Sequence, residues 1–139
     1  MANKKRKFAA AVMFAVFTAD LAIAGNPPPV CNEILGKQVI ALCSACHALH
    51  VGEASREGPN LSGVFGRVAG TNDRIFKYSP ALVGSKWLWD AATLDRFLTS
   101  PRRALPGTTM TFIGLKASDE RDAVTCYLQQ PSLRGATPP

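Results

Sequence analysis

Leu42-Cys43-Ser44-Ala45-Cys46-His47 is the stretch on which the reading of this chain turns. Two thiols three positions apart, followed at once by a histidine, make C-x-x-C-H, the attachment pattern of a covalently bound c-type haem. The thiols add across the two vinyl groups of the porphyrin, and the two-residue spacer sets their reach. The adjacent imidazole is then delivered to the iron from the same face. A structural zinc site wants a second close ligand pair, whereas the other cysteines, Cys31 and Cys126, are scattered singly. A thioredoxin-like dithiol wants a preceding strand in a βαβ setting, which the flanking residues do not offer.

Outward from the motif, the chain reads as three helices and much loop. Asn32 is placed to cap a first helix of about ten residues, with Leu35, Val39 and Leu42 recurring at helical spacing. From Gly52 to Gly70 the glycines, Pro59 and Asn60 indicate loop, and an irregular stretch continues to about Trp89. Asp90 suits the N-cap of a helix containing Leu94, Phe97 and Leu98, ended by Pro101. Residues 105–117 carry Pro106, Gly107 and Gly114 and read as loop. Ser118 is expected to cap a last helix, with Asp119 and Glu120 complementing its dipole and Pro131 stopping it. Its apolar pairs are Ala123 with Tyr127 and Val124 with Leu128. No segment alternates as a strand would, and there is no internal repeat. Three helices are a thin core for so much loop, so something large and apolar must fill the middle.

The chain has 139 residues, 47% apolar and 19% charged, which fits one globular domain. Its formal charge of +6 misleads, because Lys4, Lys5, Arg6 and Lys7 precede an apolar run from Phe8 to Ile23. Ala22-Ile23-Ala24 before Gly25 has the form of a signal-peptidase site. Removing residues 1–24 takes away four cations and Asp20, leaving +3. That excludes a strongly basic nucleic-acid binder. A retained membrane anchor is the alternative, but the apolar stretch is short of about 20 residues and Asp20 interrupts it. The expected organisation is a cleaved leader at 1–24, an extended Pro27–Pro29 lead-in within 25–35, a haem domain at 36–130 and a short tail at 131–139. Export implies the periplasm.

A haem iron also needs a ligand, or an open site, on its other face. Outside the leader Met110 is the only methionine, and His50 is the only other histidine. Three residues from His47, His50 is badly placed to reach the opposite face and reads as a surface side chain. Met110 lies in Pro106-Gly107-Thr108-Thr109-Met110, a stiff loop between helices. A His47/Met110 pair would close both axial positions and raise the reduction potential, which suits electron transfer. A Met filling a core gap is the plainer alternative.

At this point the sequence resembles the class I c-type cytochromes, of the mitochondrial cytochrome c and bacterial cytochrome c2 type, from Gly36 to Gln130. Gly36-Lys37-Gln38-Val39-Ile40 is similar to the family's first helix, and residues 58–67 (GPNLSGVFGR) to its GPNL-x-G-x-x-GR segment. Residues 106–115 (PGTTMTFIGL) resemble its methionine loop, and Tyr127 the aromatic residue that packs on the first helix. The resemblance implies an all-α fold, three main helices and long loops wrapped around one haem c held by Cys43 and Cys46. It implies that Pro59 offers its carbonyl to His47, and that Arg67, Tyr78, Trp89 and Thr108 hold the haem propionates. Trp87 is the neighbouring indole.

Two departures from the pattern stand out. Phe97 falls where many relatives carry a tyrosine, and Leu82 where they often carry asparagine, so the Met110 side should be drier. Leu42 and Thr109 replace two lysines of the mitochondrial haem edge, while Arg102, Arg103 and Lys116 remain. The function implied is a soluble, monomeric one-electron carrier with no catalytic residues. Its partners would be a bc1-type complex, terminal oxidase, reaction centre or reductase, docking near Arg102, Arg103 and Lys116. A subunit permanently docked in an oxidoreductase complex, or a peroxidase-like or gas-binding protein with open iron, are the alternatives.

Haem attachment leaves Cys31 and Cys126 over in an exported chain, where thiols oxidise. Cys126 neighbours Tyr127, which by resemblance crosses the first helix near Gly36, so a Cys31–Cys126 disulfide is expected. Five helical residues span about 7.5 Å, beyond the roughly 7 Å that a bridge tolerates, so the lead-in would have to fold back. The alternative is a buried, free Cys126.

Overall fold

The computed structural model describes residues 31–130 and Leu133. The expected leader, the Pro27–Pro29 segment and, Leu133 apart, the tail lie outside the described residues. Helix α1 spans Glu33–Ser44. Asn32 caps it, its side chain accepting from the Leu35 amide at 3.0 Å. The buried face is Gly36, Val39 and Ile40, whereas Leu42, expected on the inner stripe, is 60% exposed. The true stripe runs at i, i+3, i+4, and its first member is a glycine with no apolar side chain to mark it.

A short helix occupies a stretch expected to be irregular. Helix α2, Pro80–Ser85, opens on Pro80 with Ser79 accepting from the Leu82 amide at 3.2 Å. Helix α3, Ala91–Thr99, is capped by Asp90, whose carboxylate accepts from the Thr93 amide at 2.7 Å. Its buried face is Leu94, Phe97 and Leu98, as the sequence indicates. Pro101 does more than end α3: it opens α4, Pro101–Ala104, because a proline is preorganised for a first helical turn. Helix α5 spans Ser118–Leu128. Ser118 is its first helical residue rather than its cap; Ala117 takes the cap position and makes no side-chain bond there. The helix also ends at Leu128, before Pro131, with the Gln129 amide bonded back to the Cys126 and Tyr127 carbonyls. Among the described residues the only β pairing is an isolated bridge between Val68 and Leu88.

Helix α1 packs on α5, and α3 packs on α5 and α4. At the first crossing a Cβ on Gly36 would lie 2.8 Å from the Ala123 carbonyl oxygen and 3.2 Å from the Tyr127 Cβ. Only glycine admits so close an approach. Beside this crossing Cys31 and Cys126 form a disulfide, with Cα atoms 5.8 Å apart across 95 residues of sequence. Cys31 precedes the helix, and the Glu33 amide turns back onto its carbonyl at 3.1 Å; helical rise was therefore the wrong measure of its reach. On the chain-entropy view such a closure stabilises by up to about 4–5 kcal/mol.

Arg121 ties α5 to α3. Its Nε lies 2.6 Å from Asp95 Oδ1 with the guanidinium side chain only 12% exposed. Its Nη1 donates to the Leu115 and Lys116 carbonyls at 3.0 and 2.9 Å, fixing the end of the methionine loop.

Candidate haem site

The turn that follows α1 sets the motif. The Cys46 and His47 amides both return to the Cys43 carbonyl, at 3.1 and 2.9 Å, so the cysteines and the histidine leave the helix in one tight turn. Cys43 is half-buried and Cys46 exposed, and neither is in a disulfide. Burial pushes the Cys43 thiol up to about 11, so as a free group it is no thiolate nucleophile at neutral pH. Among the described residues no three His, Cys, Asp or Glu side chains gather as a metal site would need.

His47 is buried, and its Nδ1 lies 2.7 Å from the Pro59 carbonyl oxygen. The carbonyl can only accept, so Nδ1 carries the proton and Nε2 keeps its lone pair. Burial lowers the imidazole pKa from its ordinary value, partly opposed by the Pro59 carbonyl. Gly58 flanks the ring, and a Cβ there would collide with it.

A buried asparagine organises the loop behind this bond. Asn60 is 6% exposed, and its Nδ2 donates to the His50 and Glu53 carbonyls, each at 2.8 Å. Its Oδ1 accepts from the Ser62 amide at 2.7 Å, and its own amide donates to Ser55 Oγ at 3.0 Å. Ser55 in turn donates to Asp73 Oδ2 at 2.6 Å. That bond is the first cause holding the Asp73 carboxyl below its usual range. Sequence reasoning placed Asn60 in a motif but gave it no role, and passed over Ser55, Asn72 and Asp73. The available signal was a polar side chain in a segment that must pass under the core, where it needs partners.

Arg67, Tyr78 and Trp89 line one cleft together with Leu61, Val64 and Leu82. Arg67 Nη1 donates to the Ser62 carbonyl at 2.9 Å and also to Asn72 Oδ1, while its Nε is buried without a partner. Tyr78 Oη accepts from the Asp73 amide at 3.3 Å. Trp89 packs edge-on against Trp87, with ring centroids 6.3 Å apart, and tilted against Phe97 at 5.2 Å. Thr108 is not part of that cleft lining. Its hydroxyl accepts from the Met110 amide at 3.3 Å, within the methionine loop.

Met110 is half-buried and packs on the main apolar cluster, as do Cys43, Leu82 and Phe112. Phe97 is buried, so no hydroxyl takes its place. His50 is exposed. Arg102, Arg103 and Lys116 are exposed as well, the arginines on α4 and Lys116 in the loop before α5.

This arrangement fits a haem. Two unpaired thiols, an imidazole with one free lone pair, and a buried guanidinium nitrogen without an acceptor in the cleft with Tyr78 and Trp89 are groups a covalent porphyrin would use. No protein-family model matches the chain. It is 41% identical over 101 residues to the cytochrome c2 of Rhodoblastus acidophilus, covering 73% of this chain and 94% of that protein. It is also 41% identical over 88 residues to the cytochrome c of Chlamydomonas reinhardtii, covering 63% and 78% respectively. The structure of cytochrome cH from Methylobacterium extorquens superposes with a TM-score of 0.65 at 35% identity, covering 69% of this chain and 95% of that one. With C-x-x-C-H ending its first helix and a glycine crossing between its terminal helices, the chain belongs to the class I c-type cytochromes and carries a single covalently bound haem c.

Proposed function

We propose that this cytochrome is a soluble electron carrier of the periplasm, passing one electron between other redox proteins and breaking no bond in a small molecule. The observation that carries this reading is the buried His47 ring, whose Nδ1–H is spent on the Pro59 carbonyl at 2.7 Å while Nε2 stays free. In this reading Cys43 and Cys46 would hold the haem, and His47 Nε2 and the Met110 thioether would ligate its iron. Bound there, the haem supplies the one-electron chemistry. Pro59 fixes the imidazole tautomer and strengthens it as a donor. Arg67 Nε would gain a carboxylate acceptor, with Tyr78 and Trp89 beside it in the cleft and Thr108 serving the same task from the methionine loop. With both ligands in place the iron would offer no position to a substrate, which favours transfer over catalysis.

The optical spectrum tests the axial pair. Ferric protein should show the weak far-red band of sulfur–iron ligation and bind CO slowly when reduced. Met110→Ala should abolish the band and admit CO. A wild-type protein that binds CO at once would overturn the carrier reading. Arg102, Arg103 and Lys116 offer positive charge to an acidic partner, such as a bc1-type complex, terminal oxidase, reaction centre or reductase. Replacing both arginines by Glu should slow association at low salt and leave the reduction potential almost unchanged; a rate indifferent to salt and substitution would reject this docking face.

A further inference from the structure

We infer that Ser55 and Asp73 tune the ligand His47 through the single peptide unit joining Pro59 to Asn60. That unit is bonded on both sides. Its carbonyl oxygen accepts from His47 Nδ1 at 2.7 Å, and its N–H donates to Ser55 Oγ at 3.0 Å. The Ser55 hydroxyl then donates to Asp73 Oδ2 at 2.6 Å. Every donor along the line faces the carboxylate, from imidazole to amide to hydroxyl. Hydrogen bonds aligned in this way polarise one another, and amide resonance carries the polarisation from the N–H to the carbonyl oxygen.

The carboxylate at the far end makes Ser55 a better acceptor, which draws on the amide N–H and enriches the Pro59 oxygen. His47 Nδ1–H is then pulled harder, and Nε2 becomes the stronger donor, which favours ferric over ferrous iron. The geometry is held from outside the line. Asp73 Oδ1 is occupied by the Ile75 amide at 2.8 Å, which aims Oδ2 at Ser55. Asn72 Nδ2 donates to the Asn60 carbonyl at 2.9 Å, and the buried Asn60 side chain anchors the turn before it. Ser55 and Asp73 are thus positioning residues that reach the iron only through His47, so this inference rests on the axial role proposed for that residue.

The test uses the holoprotein with Asp73→Asn, Ser55→Ala, both together, and Ser55→Thr. Two readouts are taken: the reduction potential, and the hyperfine-shifted Nδ1–H resonance of His47 in the ferric protein. Asp73→Asn and Ser55→Ala should each raise the potential and move the Nδ1–H resonance. The double variant should shift no further than the larger single change, since both cut one line. Ser55→Thr keeps the hydroxyl and should restore the wild-type values. Glu57→Gln, which removes an exposed carboxylate from the same loop without touching the line, should leave the potential alone. A potential raised by Asp73→Asn but not by Ser55→Ala would mean that the charge acts through space, and would overturn the inference. So would strictly additive shifts, or none. A wild-type ferric protein lacking the Nδ1–H resonance would instead remove the axial role of His47, and this inference with it.

Discussion

The two loops that would face the haem are built on different principles. Residues 47–62 are held by polar bonds converging on buried Asn60, which gathers the His50 and Glu53 carbonyls, the Ser62 amide and the Ser55 hydroxyl. Residues 105–113, around Met110, rest on a turn, Thr108 amide to Leu105 carbonyl at 3.1 Å, on the Thr108 hydroxyl, and on apolar packing. Polar bonds return at the loop's far end, where Arg121 holds the Leu115 and Lys116 carbonyls. Leu82 and Phe97, which share the apolar cluster on which Met110 packs, carry no hydroxyl or amide. Polar bonds fix direction, whereas apolar packing fixes only volume. The His47 side should behave as the rigid half of the site and the Met110 side as the yielding one.

Four measurements would break or sharpen this contrast. The largest effect concerns ligand exchange: added imidazole should displace Met110 and quench the far-red band, while the hyperfine-shifted His47 resonance persists. Loss of the His47 signal first would reverse the comparison. Next comes Asn60→Ala, which strands buried groups on one loop and should cost about 2–4 kcal/mol in urea unfolding. The matched change on the other loop, Thr108→Val, should cost about 0.5–1 kcal/mol; equal losses would show that the two loops are held alike. The smallest effect concerns acid. Asp73 has its pKa depressed, chiefly by Ser55, so its contribution is present above the unfolded value of about 4 and is lost as pH falls through the lower folded one. Asp73→Asn should therefore flatten the acid limb of the stability curve, and an unchanged limb would remove Asp73 from the loop's support.

Much of the fold could be read from single residues. The C-x-x-C-H motif, the Asp90 cap and the face of Leu94, Phe97 and Leu98 were all visible, because each is a local pattern. The disulfide was expected from two leftover thiols and from the helix crossing that the family resemblance implies. What escaped was either too short or too far apart in sequence. Helix α2 has six residues and α4 has four, too few to display an apolar stripe. The line through Ser55, Asn60 and Asp73 joins residues up to 18 positions apart with no periodicity at all. Leu42 misled for another reason: it completed a tidy spacing that Gly36, lacking a side chain, had displaced.

The Cys31–Cys126 bond makes the described chain a closed ring rather than a line, since nearly every residue lies between its two ends. A protease that nicks any loop inside this ring cuts the covalent path once but releases nothing. The halves stay linked until the bond is reduced, so a nicked molecule keeps its full mass on a non-reducing gel and splits on a reducing one. The same topology keeps the segment before α1 fastened to α5 when either helix frays. A wound that cannot open is a form of durability distinct from thermodynamic stability.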